Sequence, residues 1–218
     1  MSERVFVVPA ALVTEAAAGR ACWSDGARAD DAWVEALEAA GEFAARDEVE
    51  SDESRRQVIP YLLLKSAAGG YFTYQRLPQG GEQRLFGMHS IGVGGHINDD
   101  RCHPGLAFES PVLRPKWVAE GLQRELAEEL VLPPTGAHGL GRLRLHGFLA
   151  LNETPVDRVH VGVVVVVELA PGREHECRVN EDDRLRPVGW LTSAELARQA
   201  RDVTFEGWSR ALIAAGLP

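Results

Sequence analysis

Five consecutive valines, residues 163–167, lie inside the longer apolar run VHVGVVVVVELA. Valine is β-branched and favours strands, and in this run the positions that point to both faces of a sheet are apolar. A strand of this kind has to be covered on both faces, as the central strands of layered α/β proteins are. The run therefore predicts a central strand and an α/β fold class.

Neighbouring segments predict further strands. The run QVIPYLLLK (57–65) and the run YFTYQR (71–76) flank the turn SAAGG, which is typical of a β-hairpin. Another strand is predicted for LRLHGFLAL (143–151). Together with the valine run, these segments predict a sheet that contains strands from both halves of the chain.

Helices are predicted before, between and after these strands. In the segment ADDAWVEALEAAGEFAAR (29–46), apolar residues with helical spacing follow the capping candidates Asp30 and Asp31, so we predict one helix there. Its apolar stripe is Trp33, Leu37 and Ala40. The next segment, RDEVESDESRR (46–56), is too polar to bury and predicts a connector. Near the end, TSAE (192–195) is a capping-box pattern, and FEGWSRALIAAGL (205–217) predicts a last helix.

Composition excludes several classes of function. The 218-residue chain carries 32 acidic and 23 basic side chains, so its surface repels a nucleic-acid backbone. No stretch reaches the roughly 18 apolar residues of a membrane span, and charged residues interrupt the N-terminal apolar run, unlike in a signal peptide. Three cysteines, Cys22, Cys102 and Cys177, form no CxxC pair, which predicts unpaired reduced thiols. We expect a cytoplasmic protein without nucleic-acid or membrane partners.

The segment RELAEEL, residues 124–130, indicates a metal site. It lies in a predicted helix between Pro115 and Pro133, in which Glu125, Glu128 and Glu129 share one face. The neighbouring apolar stripe is Val118, Leu122, Leu126 and Leu130. Clustered carboxylates beside a core are costly unless they are neutralised, and their oxygens favour Mg²⁺, Mn²⁺ or Ca²⁺ over zinc. The alternative is a solvated helix face with an Arg124–Glu128 ion pair.

A glycine turn precedes this helix in the sequence. In SIGVGGHI, residues 90–97, an apolar strand is predicted to end at Gly94 and Gly95. Glycine permits backbone conformations that other residues avoid and lets a ligand approach the chain closely. The alternative for the glycine pair is a tight turn without a ligand.

GGHI followed by RELAEEL resembles the signature of the Nudix hydrolase family. Gly95 matches the first glycine of the signature, and Arg124, Glu125, Leu126, Glu128, Glu129 and Leu132 match its helix. The sequence departs from the signature in its loop, which carries an insertion of about 15 residues, so that the signature's loop Glu and glycine fall on Lys116 and Ser110. Val131 replaces the glycine that follows the helix. Candidates for the missing loop acid are Asp99, Asp100 and Glu109.

The resemblance implies a fold and an activity. The implied fold is an α/β/α sandwich with a central mixed β-sheet over residues 55–218, preceded by an N-terminal extension, residues 1–54, packed on the core or on a second subunit of a homodimer. The implied activity is hydrolysis of a diphosphate linkage in a nucleoside diphosphate derivative or a similar small molecule, with Mg²⁺ or Mn²⁺ as cofactor. We also expect the inserted loop, residues 98–114, to shape the substrate pocket.

Site residues follow from the same resemblance. The implied metal ligands are Glu125, Glu128, Glu129 and the Gly94 carbonyl; the implied catalytic residues are Glu125, Glu129 and Arg124; and the implied substrate-binding residues are Gly95 and His96. The general base is either a helix glutamate or an acid of the later segment NEDD, such as Glu181.

Several alternatives remain at this stage. The chain is either a hydrolase, an isopentenyl-diphosphate isomerase-like enzyme, which would need a further acid/base pair often involving Cys, or a non-catalytic module that senses a nucleotide. His89 and His96 either contact phosphate or belong to hydrogen-bond networks of the strands. Likewise, the aromatic residues Tyr71, Tyr74 and Trp190 either stack on a base or belong to the core.

Overall fold

The computed structural model describes residues 3–78, 83–99, 130–131, 141–180 and 184–218. The described helices are α1 (Ala10–Ala17), α2 (Ala27–Ala40), α3 (Arg46–Val49), α4 (Ser193–Gln199) and α5 (Gly207–Ala215). Short 3₁₀ helices span Gln83–Leu85, Asp157–Val159 and Glu174–Glu176. None of the helices in these residues has the length and apolar character that a membrane span requires.

Twelve strands lie in the described residues. They are β1 (Arg4–Pro9), β2 (Cys22–Trp23), β3 (Glu42–Ala45), β4 (Arg55–Lys65), β5 (Gly70–Arg76), β6 (His89–Ser90), β7 (Gly92–Gly94), β8 (Leu130–Val131), β9 (Gly141–Leu149), β10 (His160–Leu169), β11 (Arg178–Val179) and β12 (Leu185–Thr192). Ten of these strands form one sheet, in which hydrogen-bonded neighbours follow the order β12-β5-β4-β10-β9-β2. The other two, β8 and β11, form a separate antiparallel pair.

The central strand predicted from the valine run is confirmed. Within β10, the five valines 163–167 are at most 1% exposed, so both faces of the strand are covered. The predicted hairpin is also confirmed, because β4 and β5 pair antiparallel around the turn at residues 66–69. With helices around a mixed sheet, the predicted α/β class is confirmed.

The described residues divide into two compact units, each made of the described part of three ranges of the chain. The first comprises residues 1–61, 94–123 and 144–165. Within it, β1 pairs antiparallel with β3 and with the start of β4, and β2 pairs with β9. The core between β1, β3 and α3 is formed by Val5, Val7, Ala44 and Val49. The predicted boundary between an N-terminal extension (1–54) and a domain of residues 55–218 stays a prediction.

Two predictions for the N-terminal region are wrong in part. Helix α2 begins at Ala27 and ends at Ala40, and residues 42–45 form β3 instead of continuing the helix. Gly41 separates the two elements, and the ring of Phe43 packs edge-to-face on Phe6 of β1, which favours the extended conformation. Asp30 lies inside the first turn instead of capping it, and its carboxylate accepts hydrogen bonds from the Asp25 N–H and the Ser24 hydroxyl.

The connector predicted for residues 46–56 is also wrong in part. Its first residues form helix α3, and its last two begin β4. Arg56, which the sequence places in this polar segment, is 6% exposed. Its charge is tolerated there because its guanidinium donates hydrogen bonds to several backbone carbonyl groups.

The second unit comprises residues 62–93, 124–143 and 166–218. In it, β12 pairs antiparallel with β5, with a bulge between Pro187 and Gly189. The capping box predicted at residues 192–195 is confirmed, since the Thr192 side chain accepts from the Glu195 N–H and the Glu195 side chain accepts from the Thr192 N–H. Leu130, predicted to continue the glutamate helix, lies in β8 because its backbone pairs with Val179 of β11.

Candidate active site

The glycine turn is the part of the predicted site that the structure describes. Strand β7 ends at Gly94, and Val93 before it is buried. A Cβ atom added to Gly94 would lie 2.8 Å from the Pro60 carbonyl oxygen and 2.9 Å from Tyr61 Cδ2. Both distances are shorter than real Cβ contacts, so the backbone of β7 can lie this close to β4 only because residue 94 is glycine.

The residues that follow the turn are held by β1. The Phe6 N–H donates to the Ile97 carbonyl at 2.9 Å, and the Asp99 N–H donates to the Arg4 carbonyl at 3.3 Å. The Asn98 amide also donates to the Glu3 carboxylate, 2.9 Å from Oε1. Residues 97–99 therefore leave the glycine turn along the N-terminal strand.

Glu3 is itself fixed by more than one partner. Arg46 donates to its carboxylate at 2.7 Å, in addition to the bond from Asn98. Partial burial acts to raise the pKa of Glu3, but these hydrogen bonds and the positive charge of Arg46 outweigh it and lower the pKa. The carboxylate is therefore ionised at neutral pH and joins β1 to Asn98.

His96, a predicted substrate-binding residue, contacts a second histidine. Its Nε2 atom lies 3.4 Å from Nε2 of His160, and the ring centroids are 5.6 Å apart at 60°. His160 is the first residue of β10, and its Nδ1 atom lies 2.7 Å from the Val156 carbonyl oxygen. The structure thus places His96 in a side-chain network beside the glycine turn.

A buried arginine organises the turn that leads to His160. Arg56 Nη1 donates to the carbonyls of Leu151, Asp157 and His160 at 3.1, 2.7 and 3.1 Å, and Nη2 donates to Asn152 Oδ1 at 2.6 Å. Burial lowers the pKa of Arg56, and the charges of Asp157 and Glu53 partly offset this. The guanidinium is a cross-link within the first unit that fixes residues 151–160.

Most of the predicted metal and catalytic residues lie outside the described residues. This applies to Arg124, Glu125, Glu128 and Glu129, and also to Asp100, Glu109 and Glu181. The inserted loop is described only at residues 98 and 99. Asp99, one candidate for the missing loop acid, is exposed and lies 3.9 Å from the Arg4 guanidinium.

Two tyrosines of the second unit belong to its interior, and Trp190 and His89 are partly buried. Tyr71 and Tyr74 are at most 1% exposed, and the Tyr74 hydroxyl donates to the Gly92 carbonyl at 2.8 Å. Trp190 packs on Phe72 with ring centroids 5.3 Å apart. His89 packs on Phe205, and burial lowers its pKa. The structure supports the core interpretation for the two tyrosines.

Two known proteins are similar to this chain along almost its whole length. No protein-family profile matches the sequence. The chain is 29% identical over 215 residues to the protein YmaB of Bacillus subtilis (strain 168), an alignment that covers 98% of this chain and 97% of YmaB. It also superposes on the crystal structure of Tm1382, provisionally assigned as a Nudix hydrolase, with a TM-score of 0.71 and 24% identity, covering 98% of this chain and 97% of Tm1382.

The chain has the Nudix fold. A weaker similarity, to DR0079 from Deinococcus radiodurans, has a TM-score of 0.49 and 17% identity over 72% of this chain and 81% of DR0079. Within the Nudix fold of this chain, the sequence R-E-L-A-E-E lies between the end of β7 at Gly94 and the start of β8 at Leu130.

Two residues of the site region were not found from the sequence. Arg56 falls in the predicted polar connector. It directly precedes the apolar run of β4, and a charged residue in that position is the signal that could have indicated a buried charge. His160 stands at the first position of the valine strand, where a polar residue that caps an apolar run suggests a specific contact. Neither signal identifies the partner, because the partners are distant in sequence.

Proposed function

We propose that the protein is a divalent-metal-dependent hydrolase that cleaves a diphosphate linkage in a nucleoside diphosphate derivative or a similar small molecule. The observation that carries the proposal is the sequence R-E-L-A-E-E, residues 124–129, between β7 and β8 of a Nudix fold. This segment supplies three carboxylates and a guanidinium in a chain whose glycine turn precedes them.

The donor chemistry fits a hard divalent cation. Glu125, Glu128 and Glu129 would supply carboxylate oxygens, and the Gly94 carbonyl would supply a backbone oxygen. The Gly94 carbonyl stands at the end of β7, on a residue whose missing side chain lets β7 pack directly against Pro60 and Tyr61. Among the described residues, no group of three or more His, Cys, Asp or Glu side chains is placed to hold a metal ion, so the proposal depends on the motif glutamates.

The residues of this chain would divide the work as follows. Bound Mg²⁺ or Mn²⁺ would neutralise the phosphate oxygens and lower the pKa of a water molecule. Arg124 would donate charge-assisted hydrogen bonds to the motif carboxylates and keep them oriented. Either a motif glutamate or Glu181 would take the proton of the attacking water. Gly95 and His96 would lie beside the substrate, directly before residues 97–99, which β1 holds.

A panel of nucleoside diphosphate derivatives tests the proposal. We expect phosphate-containing products from at least one member of the panel with Mg²⁺ or Mn²⁺ and none with chelator present. Glu129→Gln should lower the rate by on the order of 10² or more, because it removes a charge that stabilises the transition state. Glu120→Gln is the matched control, because it makes the same change four residues before the motif begins at Arg124. A wild-type protein that hydrolyses no diphosphate with either metal would contradict the proposal.

Cysteine chemistry distinguishes the isomerase-like alternative. Burial raises the pKa of Cys22 to about 11. Burial, with the charges of Glu176 and Glu174, raises the pKa of Cys177 to about 12. Both thiols are therefore protonated at neutral pH and poorly suited to acid/base work there. Among the described residues this leaves no cysteine suited to isomerase chemistry, whereas Cys102 lies outside them. Turnover in the panel distinguishes the hydrolase from a nucleotide-sensing module.

Cellular location and assembly complete the proposal. We place the protein in the cytoplasm, where the free thiols of Cys22 and Cys177 would stay reduced. We also propose that it forms a homodimer through its N-terminal region. Small-molecule diphosphates are the proposed partners, because the net charge of −9 disfavours nucleic-acid polymers.

A further inference from the structure

The imidazole of His96, a proposed substrate-binding residue, faces the imidazole of His160, and the proposed hydrolase chemistry gives this pairing no role. The two Nε2 atoms are 3.4 Å apart, and both rings are half-buried in the first unit. His96 belongs to the segment after the glycine turn, and His160 begins β10. The pair therefore joins two segments that are 64 residues apart in sequence.

Hydrogen bonding fixes which nitrogen of His160 faces His96 with a lone pair. Nδ1 of His160 lies 2.7 Å from the Val156 carbonyl oxygen. Because a carbonyl oxygen only accepts hydrogen bonds, Nδ1 carries the proton, and the neutral ring has its lone pair on Nε2. Metal-binding histidines commonly have this arrangement, in which the second nitrogen donates to a backbone carbonyl or a carboxylate.

The support behind His160 is rigid. Val156 precedes the 3₁₀ helix Asp157–Val159, whose first carbonyl accepts a bond from Arg56. Arg56 also donates to the carbonyl of His160 itself. The imidazole is therefore held through both its ring nitrogen and its backbone, which reduces the cost of ordering it when a ligand binds.

The separation of the nitrogens matches metal coordination. Two nitrogens that bind one tetrahedral zinc ion at about 2.0–2.1 Å lie about 3.3–3.4 Å apart. A direct hydrogen bond usually brings its heavy atoms closer, to about 3 Å. The ionised Glu3 carboxylate is within electrostatic reach of His96 and adds negative potential that favours a cation.

We propose that His96 and His160 form a two-nitrogen site for a borderline divalent transition metal ion, of the class of Zn²⁺, Ni²⁺ or Cu²⁺. Imidazole nitrogen suits these ions, whereas the carboxylates of the proposed catalytic site suit Mg²⁺ and Mn²⁺. Further ligands would complete the coordination. The bound ion would tie the residues after the glycine turn to the start of β10 and stabilise the first unit. The site rests on described residues alone and goes beyond the proposed hydrolase function.

Calorimetry with zinc alone tests the site in the full chain, prepared without a polyhistidine tag and stripped of metal by chelator. We expect wild-type protein to bind one Zn²⁺ ion per chain through the pair. His96→Phe and His160→Phe keep a ring at each position but remove the nitrogens, and each should weaken this binding at least about tenfold.

Two variants serve as controls. His146→Phe removes another half-buried histidine of the same unit, and Glu129→Gln changes the proposed hard-metal site. His146→Phe should bind Zn²⁺ like the wild type, and Glu129→Gln should keep the zinc-binding step that the two pair variants weaken. Unfolding followed by circular dichroism supplies a readout independent of activity, because an ion that binds only the folded state raises the Tm. Zn²⁺ should raise the Tm of wild type and both controls and leave the Tm of the two pair variants unchanged.

Two results would overturn the site: no zinc binding by the wild type up to about 1 mM, or equal binding by His160→Phe. If the phenylalanine variants fail to fold, NMR of ¹⁵N-labelled histidines in the wild type decides the question. Zinc should then shift the Nε2 resonances of two histidines, and the Nδ1 resonances of the same two rings should stay resolved from the Nε2 resonances. Shifts confined to other histidines would reject the proposal.

Discussion

Arg56 shows how a single residue can hold a long connecting segment. Its guanidinium donates to three backbone carbonyls and one side-chain amide, all between residues 151 and 160. The planar fork of arginine presents several donors in fixed directions, which the point charge of lysine cannot reproduce. Local sequence could not predict this role, because the acceptors lie about a hundred residues away.

Replacing Arg56 with methionine should therefore be costly. Arg56→Met keeps much of the side-chain volume but leaves buried acceptors without donors, which should lower the free energy of unfolding by about 2–4 kcal/mol. Its neighbour Arg55 is the matched control, because its side chain is 40% exposed and pairs with the acids Glu42 and Asp52 at 3.3 Å. Arg55→Met should change the free energy by less than about 1 kcal/mol. Urea denaturation measures both, and equal losses would contradict the cross-link.

Gly94 was recognised from the sequence, and the structure supplies a steric reason. A Cβ atom at this position would overlap the Pro60 carbonyl and the Tyr61 ring. Gly94→Ala should lower the free energy of unfolding by about 1–3 kcal/mol because the backbone has to shift. Gly70→Ala is a graded control, since its nearest contacts, at 3.2 Å, are tight but less severe. Denaturant unfolding should rank Gly94→Ala as the less stable variant, and the opposite order would contradict the close approach.

His89 predicts a dependence of stability on pH. Burial lowers its pKa below the ordinary value of 6.5, and a hydrogen bond with the Thr204 backbone only partly offsets this. As pH falls through 6.5, the unfolded chain takes up the proton before the folded chain does. The free energy of unfolding should therefore be higher at pH 8 and should decrease as the pH falls below about 6.5. His89→Phe should make the free energy of unfolding depend less on pH between about pH 5 and 7, as measured by urea midpoints. An identical slope in wild type and variant would argue against this role of His89.

At the scale of secondary structure, apolar patterns predicted strands better than helix ends. Strands β4, β5 and β10 follow directly from their runs of apolar and β-branched residues. Helix α2 was extended too far, because alanine-rich residues 42–45 favour a helix locally, whereas their pairing with β1 makes them a strand. Leu130 was misassigned for the same reason, since its pairing with β11 is a tertiary interaction.

The N-terminal region shows the same dependence on distant contacts. Strand β1 pairs with β3, with β4 and with residues 97–99, so removing it affects more than the N-terminus. Deletion of residues 1–50 should expose the edge of β4 at residues 55–57 and the apolar surface above it, which promotes aggregation or loss of dimerisation. It should also release residues 97–99 beside the glycine turn.

Light scattering of the truncated protein checks this expectation. The full-length chain is the control, measured at equal concentration. Aggregation, or a lower oligomeric mass than that of the full chain, is the expected result. A truncated protein that stays in solution with its original oligomeric mass would show that residues 1–50 are an appendage.

At the scale of the whole molecule, the sequence predicted the fold more completely than the site. The valine strand and the hairpin indicated an α/β sheet, and GGHI followed by RELAEEL indicated the Nudix fold, which the comparison with Tm1382 shows along the chain. The contacts of Arg56 and His160 arise only when segments far apart in sequence come together, so local patterns could not predict them. The roles of Glu125, Glu128 and Glu129 remain predictions from their sequence motif.

Affinity for Mn²⁺, measured by calorimetry, tests the central claim most directly. The claim is that the motif glutamates hold the metal, so Glu129→Gln should bind Mn²⁺ more weakly than the wild type by about tenfold or more. Glu120→Gln, which removes a carboxylate four residues before the motif begins at Arg124, should bind Mn²⁺ like the wild type. Unchanged Mn²⁺ affinity in a folded Glu129→Gln protein would contradict the assignment of the metal to these carboxylates.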